Sequence, residues 1–304
     1  MQCGRVMRTA ESLRIRMREG PPLLLDGATG TEIARRGIDV DCPEWSCGAL
    51  LTAPEVVRDV HAAYVAARAE VLTANTFRTH ARSLRTAGLA DRAAELTRVA
   101  VELARDAAGD AAWVAGSQAT LEDCYSPELT PPDAELEREH GQMSANLALA
   151  DVDAILVETQ NTIREARIAA RSAIGTGLPV LVSFVCGRDG RLLSGEFLRE
   201  AARELGSLGP DALLVNCLPA DAVSRALMEL RAAGAGLPIG AYANVGFADQ
   251  RGQWVMTESV EPECYARMAA QWVGSGARIV GGCCGTTPEH IISLRQVIEK
   301  SGTS

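Results

Sequence analysis

Apolar and polar positions along this chain alternate between two periods. Short runs that are apolar on both faces, such as Leu23-Leu24-Leu25 and Ala154-Ile155-Leu156-Val157, are each followed by Ala-rich stretches whose apolar residues recur at helical spacing. Strands are therefore predicted at 23–25, 71–77, 113–117, 154–159, 178–185, 212–217, 239–244 and 277–284, with helices such as 54–69, 91–108 and 133–150 between them. Runs hydrophobic on both faces are what a parallel sheet covered by helices requires. About eight such cycles are the count of an α/β, single-domain (β/α)8 TIM barrel. A doubly wound sheet needs fewer strands and a differently spaced Gly-rich first turn.

The polar residues at the strand exits are not scattered. Asp26, Asn75, Glu158, Asn216, Cys217 and Asn244 all fall at C-terminal strand ends, which in a barrel form one rim. The last strand runs into Gly281-Gly282-Cys283-Cys284-Gly285-Thr286-Thr287-Pro288, two adjacent thiols followed by a helix start with Thr287 as cap and Pro288 at the first helical position. Neighbouring side chains on a regular strand point to opposite faces, so both thiols can serve one site only where the pleat breaks. The flanking glycines permit such a break. The stretch 118–132, with Cys124, Tyr125 and several prolines, reads as a loop over the rim.

Three thiols on rigid strand ends, Cys217, Cys283 and Cys284, with no fourth ligand near in sequence, suggest zinc with an open position. Spacing alone leaves two other readings open: Cys217 as a small core residue, and the adjacent pair as incidental or a vicinal disulfide. Cys3, Cys42, Cys47, Cys186 and Cys264 read as ordinary reduced or core thiols, as does Cys124 unless its loop brings it to the rim. Asp26 and Glu158 are caps or ion-paired carboxylates in the simplest reading. Near a thiol-activating metal they can instead hold the ammonium of an amino-acid substrate, with amides of Gly27 to Thr29 receiving its carboxylate. His290 is expected to face solvent, and His61, His80 and His140 to lack partners.

Composition narrows the partner. With 304 residues and 47% hydrophobic content the chain can bury a large core, and its formal net charge of −9 argues against a nucleic-acid surface. No window suits a membrane helix, and the Arg-rich start from Met1 to Arg18 lacks the apolar centre of a signal peptide. The expectation is a cytoplasmic enzyme of small molecules with residues 1–20 as an extension or first helix; no nucleic acid and no membrane is expected as a partner, and the pattern is silent on oligomeric state.

Read together, Asp26-Gly27-Ala28-Thr29-Gly30-Thr31-Glu32, Trp45-Ser46, Thr73-Ala74-Asn75-Thr76-Phe77, Glu158-Thr159, Val215-Asn216-Cys217 and Gly281-Gly282-Cys283-Cys284-Gly285-Thr286-Thr287-Pro288 resemble the homocysteine S-methyltransferase family, over roughly Leu23 to Ile292. The resemblance implies a homocysteine-binding barrel over 21–300, with zinc on Cys217, Cys283 and Cys284. It further implies substrate contacts from Asp26, Gly27, Thr73, Asn75, Glu158 and Asn216, and methyl transfer from S-methylmethionine or S-adenosylmethionine to L-homocysteine, giving methionine. Departures at 117–125 and at Tyr242-Ala243-Asn244 leave the donor open. A different small thiol or selenol acceptor is the alternative, as is a module that presents homocysteine to a separate corrinoid or folate protein.

Overall fold

The computed structural model describes residues 8–40, 45–248 and 254–301. Eight parallel strands form the barrel: β1 (Leu23–Leu24), β2 (Val71–Ala74), β3 (Trp113–Gln118), β4 (Ala154–Gln160), β5 (Val180–Phe184), β6 (Ala212–Pro219), β7 (Ile239–Asn244) and β8 (Ala277–Gly282). Their order is β1-β8-β7-β6-β5-β4-β3-β2, and a parallel bridge from Leu25 to Val71 joins β1 to β2 and closes the cylinder. This is the (β/α)8 barrel expected from the alternation. The part of the N-terminal expectation that falls on residues 1–7, including Cys3, lies outside the described residues, as does Cys42.

Alternation along each strand divides the core in two. Leu23, Leu25, Trp113, Leu156, Leu181, Leu214 and Ile279 point into the barrel, whereas Leu24, Leu72, Val114, Ile155, Val157, Leu213 and Val280 pack outward against the helices. Helix Ala93–Ala108 shows the matching stripe: Leu96, Ala100, Val101, Ala104 and Ala108 are buried, and Gly109, at φ +50°, ends the helix in a conformation that a side chain would strain. Helix Ala10–Arg18 closes the N-terminal end of the barrel by sending Leu13 and Met17 into the inner cluster. Burial of each stabilises the plug by about 2 kcal/mol. Its Arg14 and Arg16 pair with Asp211 and Glu70, which fixes its orientation.

Several strand ends differ from the expected bounds. β2 ends at Ala74 rather than near Phe77, β8 ends at Gly282 before the two cysteines, and β6 continues to Pro219. β4 and β6 each slip register at the rim, between Val157 and Gln160 and between Asn216 and Pro219. A short antiparallel hairpin, Gly246–Ala248 with Trp254–Met256, follows β7. Among the described residues no helix is long and apolar enough to cross a membrane.

Candidate metal and substrate site

The thiols meet at the C-terminal rim. The Sγ atoms of Cys217, Cys283 and Cys284 all lie within 4.8 Å of one another, and Cys217 and Cys283 are 3.1 Å apart. Two local devices produce this. Cys217 takes the left-handed conformation, φ +55°, at the slip in β6, which turns its side chain out of the regular pleat. Cys283 and Cys284 lie just past the end of β8, in a turn closed by the Thr286 amide donating to the Cys283 carbonyl at 3.1 Å, with Gly285 at φ +83°. Gly282 has a steric reason as well, since a Cβ there would fall 2.3 Å from Thr286 Oγ1. Asn244, on the neighbouring strand end, accepts from the Cys284 amide at 3.0 Å.

Sulfurs this close can share one ion at Zn–S distances of about 2.3 Å, so the donor set fits a soft, tetrahedral cation with its fourth position open. The thiols also titrate as a set. Cys284 is held well below the usual thiol range because the Cys217 and Cys283 thiols donate to it, and Cys217 is correspondingly pushed well up.

Beside the thiols lies a cavity of about 710 Å³, within the usual range for small-molecule sites. Its floor is acidic. Asp26 receives the Thr73 amide at 2.7 Å and the Thr73 hydroxyl at 3.0 Å, and Glu158 accepts from the Ser117 hydroxyl and, at 3.0 Å, from the Tyr242 hydroxyl. Burial pushes Asp26 up to about 8, partly opposed by the Thr73 bonds and reinforced by Glu158. Burial likewise pushes Glu158 up to about 7, against the Ser117 bond and with the Cys283 sulfur adding to the rise. A cation placed between these groups would relieve both.

Of the residues expected to meet substrate, Asp26, Gly27, Thr73, Asn75 and Glu158 line this cavity. Thr73 commits its amide and hydroxyl to Asp26, and Asn75 exchanges bonds with the Ser46 hydroxyl and carbonyl at 2.6 and 2.8 Å. Asn216 is different. It is fully buried and absent from the cavity wall, with its carboxamide bound to Thr159 and Ser183.

Several readings of single residues change. His290 is buried rather than solvent-facing: its Nδ1 accepts from the Thr287 amide at 3.1 Å and its Nε2 lies 3.2 Å from the Ser259 carbonyl, so the imidazole links the start of helix Pro288–Ser301 to a neighbouring turn. His140 is partnered, with Nε2 3.0 Å from Glu165 and Nδ1 3.2 Å from Gln118. His80 lies 2.9 Å from the Ser83 hydroxyl, whereas neither ring nitrogen of His61 has a partner among the described residues. Cys124 reaches the cavity with its loop, while Cys47 and Cys186 are buried in the core. Ser117 and Tyr242 were not expected at the site: Ser117 reaches Glu158 from β3, the direct neighbour of β4, and Tyr242 reaches it from β7, three strands away on the other side. Trp45, Phe77, Arg78 and Asp123 also line the cavity, Trp45 from the start of a 3-10 turn and the others from segments past the ends of β2 and β3, and none had been expected to meet substrate.

Comparison with known proteins gives the same direction. The model of the family described as homocysteine S-methyltransferase matches residues 23–298. A maize protein named homocysteine S-methyltransferase 2 is 26% identical over 312 residues, covering 93% of this chain and 91% of the relative. A selenocysteine methyltransferase of Astragalus bisulcatus is 27% identical, covering 94% of each chain. The crystal structure of the metallated homocysteine methyltransferase MmuM of Escherichia coli superposes with a TM-score of 0.81 at 28% identity, over 93% of this chain and 99% of that one.

Proposed function

Since this chain belongs to the homocysteine S-methyltransferase family, we propose that it transfers a methyl group from a sulfonium donor, S-methylmethionine or S-adenosylmethionine, to L-homocysteine, with zinc on Cys217, Cys283 and Cys284. The observation that carries this reading is the meeting of three thiol sulfurs within 4.8 Å beside a cavity floored by two buried carboxyls. Zinc on these sulfurs would supply Lewis-acid stabilisation, keeping the acceptor sulfur a thiolate at neutral pH.

The chain's own residues do the rest. Asp26 and Glu158 take the acceptor's ammonium, an assignment supported by the rise of both carboxyls through burial, which a bound cation reverses. Thr73, Ser117 and Tyr242 orient those carboxyls by donating to them. The Gly27 amide serves the acceptor carboxylate from the loop beside Asp26. A side chain at Gly27 would meet the Tyr64 hydroxyl at 2.7 Å, so glycine keeps this backbone close to the site.

The acceptor thiol gives its proton to solvent on becoming a thiolate. Its sulfur lone pair then forms the new carbon–sulfur bond, while the donor's methyl–sulfur bond breaks and its electron pair stays on the leaving sulfur. That sulfur departs as a neutral thioether, so no general acid is needed, and the protein contributes position and charge.

Similarity to a selenocysteine methyltransferase favours one second reading, a selenol acceptor at the same site. Purified zinc-loaded protein incubated with homocysteine or selenocysteine and each sulfonium donor tests both. Methionine formation supports the first reading and preferential use of the selenol the second. Tight homocysteine binding without turnover across the donor panel would instead indicate a module that serves another methyl carrier.

A further inference from the structure

The thiols and carboxyls occupy one end of the barrel, and a second cavity opens at the other. It holds about 450 Å³ beside the starts of β6, β7 and β8, between the end of helix Val223–Ala232, the turn at 234–238 and the turn at 275–276. Its charged lining residues are Arg231 and Arg278, and no acid lines it among the described residues. In a chain of 39 acidic and 30 basic residues this is a local reversal of sign.

The strand itself delivers Arg278. Along β8, Ala277 pairs with Ile239 and Ile279 with Gly240, so Arg278 is the extra residue of a bulge and stands outside the regular alternation. The side chain is half-buried, and its Nε and Nη2 are covered by the chain without a hydrogen-bond partner among the described residues. Burial lowers its pKa and the Arg16 charge lowers it further, so its surroundings oppose the positive charge instead of neutralising it.

Arg231 reaches the same cavity from the last turn of its helix. Helix ends at this face present carbonyls, the ordinary partners of an arginine placed there. Arg231 makes one long contact of that kind, Nη1 to the Ser275 carbonyl at 3.4 Å, and forms no ion pair among the described residues. Leu237 and Pro238, both half-buried, give the cavity an apolar side.

From this we propose that the cavity at the N-terminal end of the barrel binds a phosphate group, free or carried by a small organic ester, with Arg231 and Arg278 setting two positive charges against its two negative ones. Guanidinium forks match phosphate oxygens in geometry as well as in sign. A carboxylate brings a single charge and leaves one cation uncompensated. The organic part of an ester would rest on Leu237 and Pro238. Barrel enzymes keep their chemistry at the C-terminal face, so this site binds without turnover, and it does not depend on the methyl-transfer reading.

The test is calorimetric titration of the zinc-loaded full chain with inorganic phosphate, phenyl phosphate and acetate, at about pH 7.5 and about 0.15 M salt, where the phosphates are doubly charged and diffuse surface attraction is screened. The wild type should bind phosphate saturably at one site per chain and acetate at least about tenfold more weakly. Inorganic phosphate as the tighter or an equal ligand identifies the free ion, and phenyl phosphate as the tighter identifies an ester. Arg231→Gln, a change to an exposed side chain, should lower phosphate affinity about tenfold, the scale of one hydrogen bond to a charged group. Arg278→Met should abolish binding, while its thermal stability without phosphate is equal to that of the wild type or higher, because a charge with covered, unpartnered nitrogens has been removed. No saturable binding of either phosphate, acetate binding as tight as phosphate, or unchanged phosphate affinity in either arginine variant would overturn the proposal.

Discussion

Asn216 and Thr159 hold each other by two hydrogen bonds across the rim: the Thr159 amide donates to Asn216 Oδ1 at 3.1 Å, and Asn216 Nδ2 donates to Thr159 Oγ1 at 2.9 Å. Ser183 on the strand between them also donates to Asn216 Oδ1, at 2.7 Å. Thr159 and the residue after Asn216, Cys217, are both in the left-handed conformation, at φ +58° and +55°. Each is a conformation that a side chain adopts at a cost of order 1 kcal/mol, and this bracket is what over-determines them. Asn216→Ala should therefore lower stability by about 2 kcal/mol, through buried donors left without acceptors, and should weaken metal retention. Denaturant unfolding and metal analysis after dialysis check this; a variant that retains zinc and loses only substrate affinity would show that Asn216 contacts substrate instead.

The metal assignment has a direct test. Cys283→Ala combined with Cys284→Ala should take bound zinc from about one per chain to almost none, since a single remaining thiolate cannot hold the ion against dialysis. Cys217→Ala should cause a smaller loss by the same measurement. Unchanged zinc in the double variant would place the metal elsewhere.

The carboxyl pair is separable from the thiols by choice of acceptor. Asp26→Asn or Glu158→Gln should raise the homocysteine KM about ten- to a hundredfold, the scale of a hydrogen bond to a charged group. Mercaptobutyrate, which is homocysteine without its amino group, should be used equally well by wild type and variants. Equal losses for both acceptors would mean that these carboxyls shape the site and do not read the ammonium.

Those same groups set a pH dependence. Folded Asp26 and Glu158 titrate near 8 and 7, well above their ordinary range, because burial disfavours their charge. Between about pH 4 and 8 the folded protein thus keeps protons that the unfolded chain has released, so their contribution to stability is fullest in acid and is lost as pH rises through 7 and 8. Binding an ammonium requires the ionised forms. Homocysteine affinity should accordingly fall as pH drops from about 8 to 6, with proton release on binding near neutrality, both measurable by calorimetry in two buffers.

The alternation of buried strands and Ala-rich helices made the barrel legible, because both faces of a parallel strand are covered and the pattern repeats around the ring. Asn-Cys and Gly-Gly-Cys-Cys were legible for a related reason, being polar or reactive groups at strand exits. Their neighbours were not. Ser117 and Tyr242 meet on Glu158 from strands distant in sequence, and no local pattern records which rim residues face each other. His290 misled because its sequence position suggests a solvated first turn, whereas the ring replaces solvent as partner to the Thr287 amide. Asn216 is read from sequence no better, since a position next to Cys217 looks the same whether the amide faces the cavity or braces the backbone, as its bonds to Thr159 and Ser183 do here.

His61 offers a test of stability remote from the chemistry. It lies on helix Pro54–Ala66, fully buried, with both ring nitrogens lacking partners among the described residues, and burial lowers its pKa to about 4. The unfolded imidazole titrates near 6.5, so between about pH 6.5 and 4 the unfolded chain binds a proton that the folded protein refuses. Stability from this group is complete above about pH 6.5 and falls as pH drops, by about 3 kcal/mol at pH 4. His80, pushed down to about 3 by burial and the nearby Arg78 charge, adds a second loss over the same range. His61→Leu should therefore remove only part of the acid sensitivity, while at neutral pH it should be neutral or stabilising, because an apolar side chain replaces unsatisfied polar atoms. Urea unfolding at about pH 7 and 4.5 measures the difference, and parallel loss of stability in wild type and variant would mean that His61 finds a proton acceptor in the folded protein.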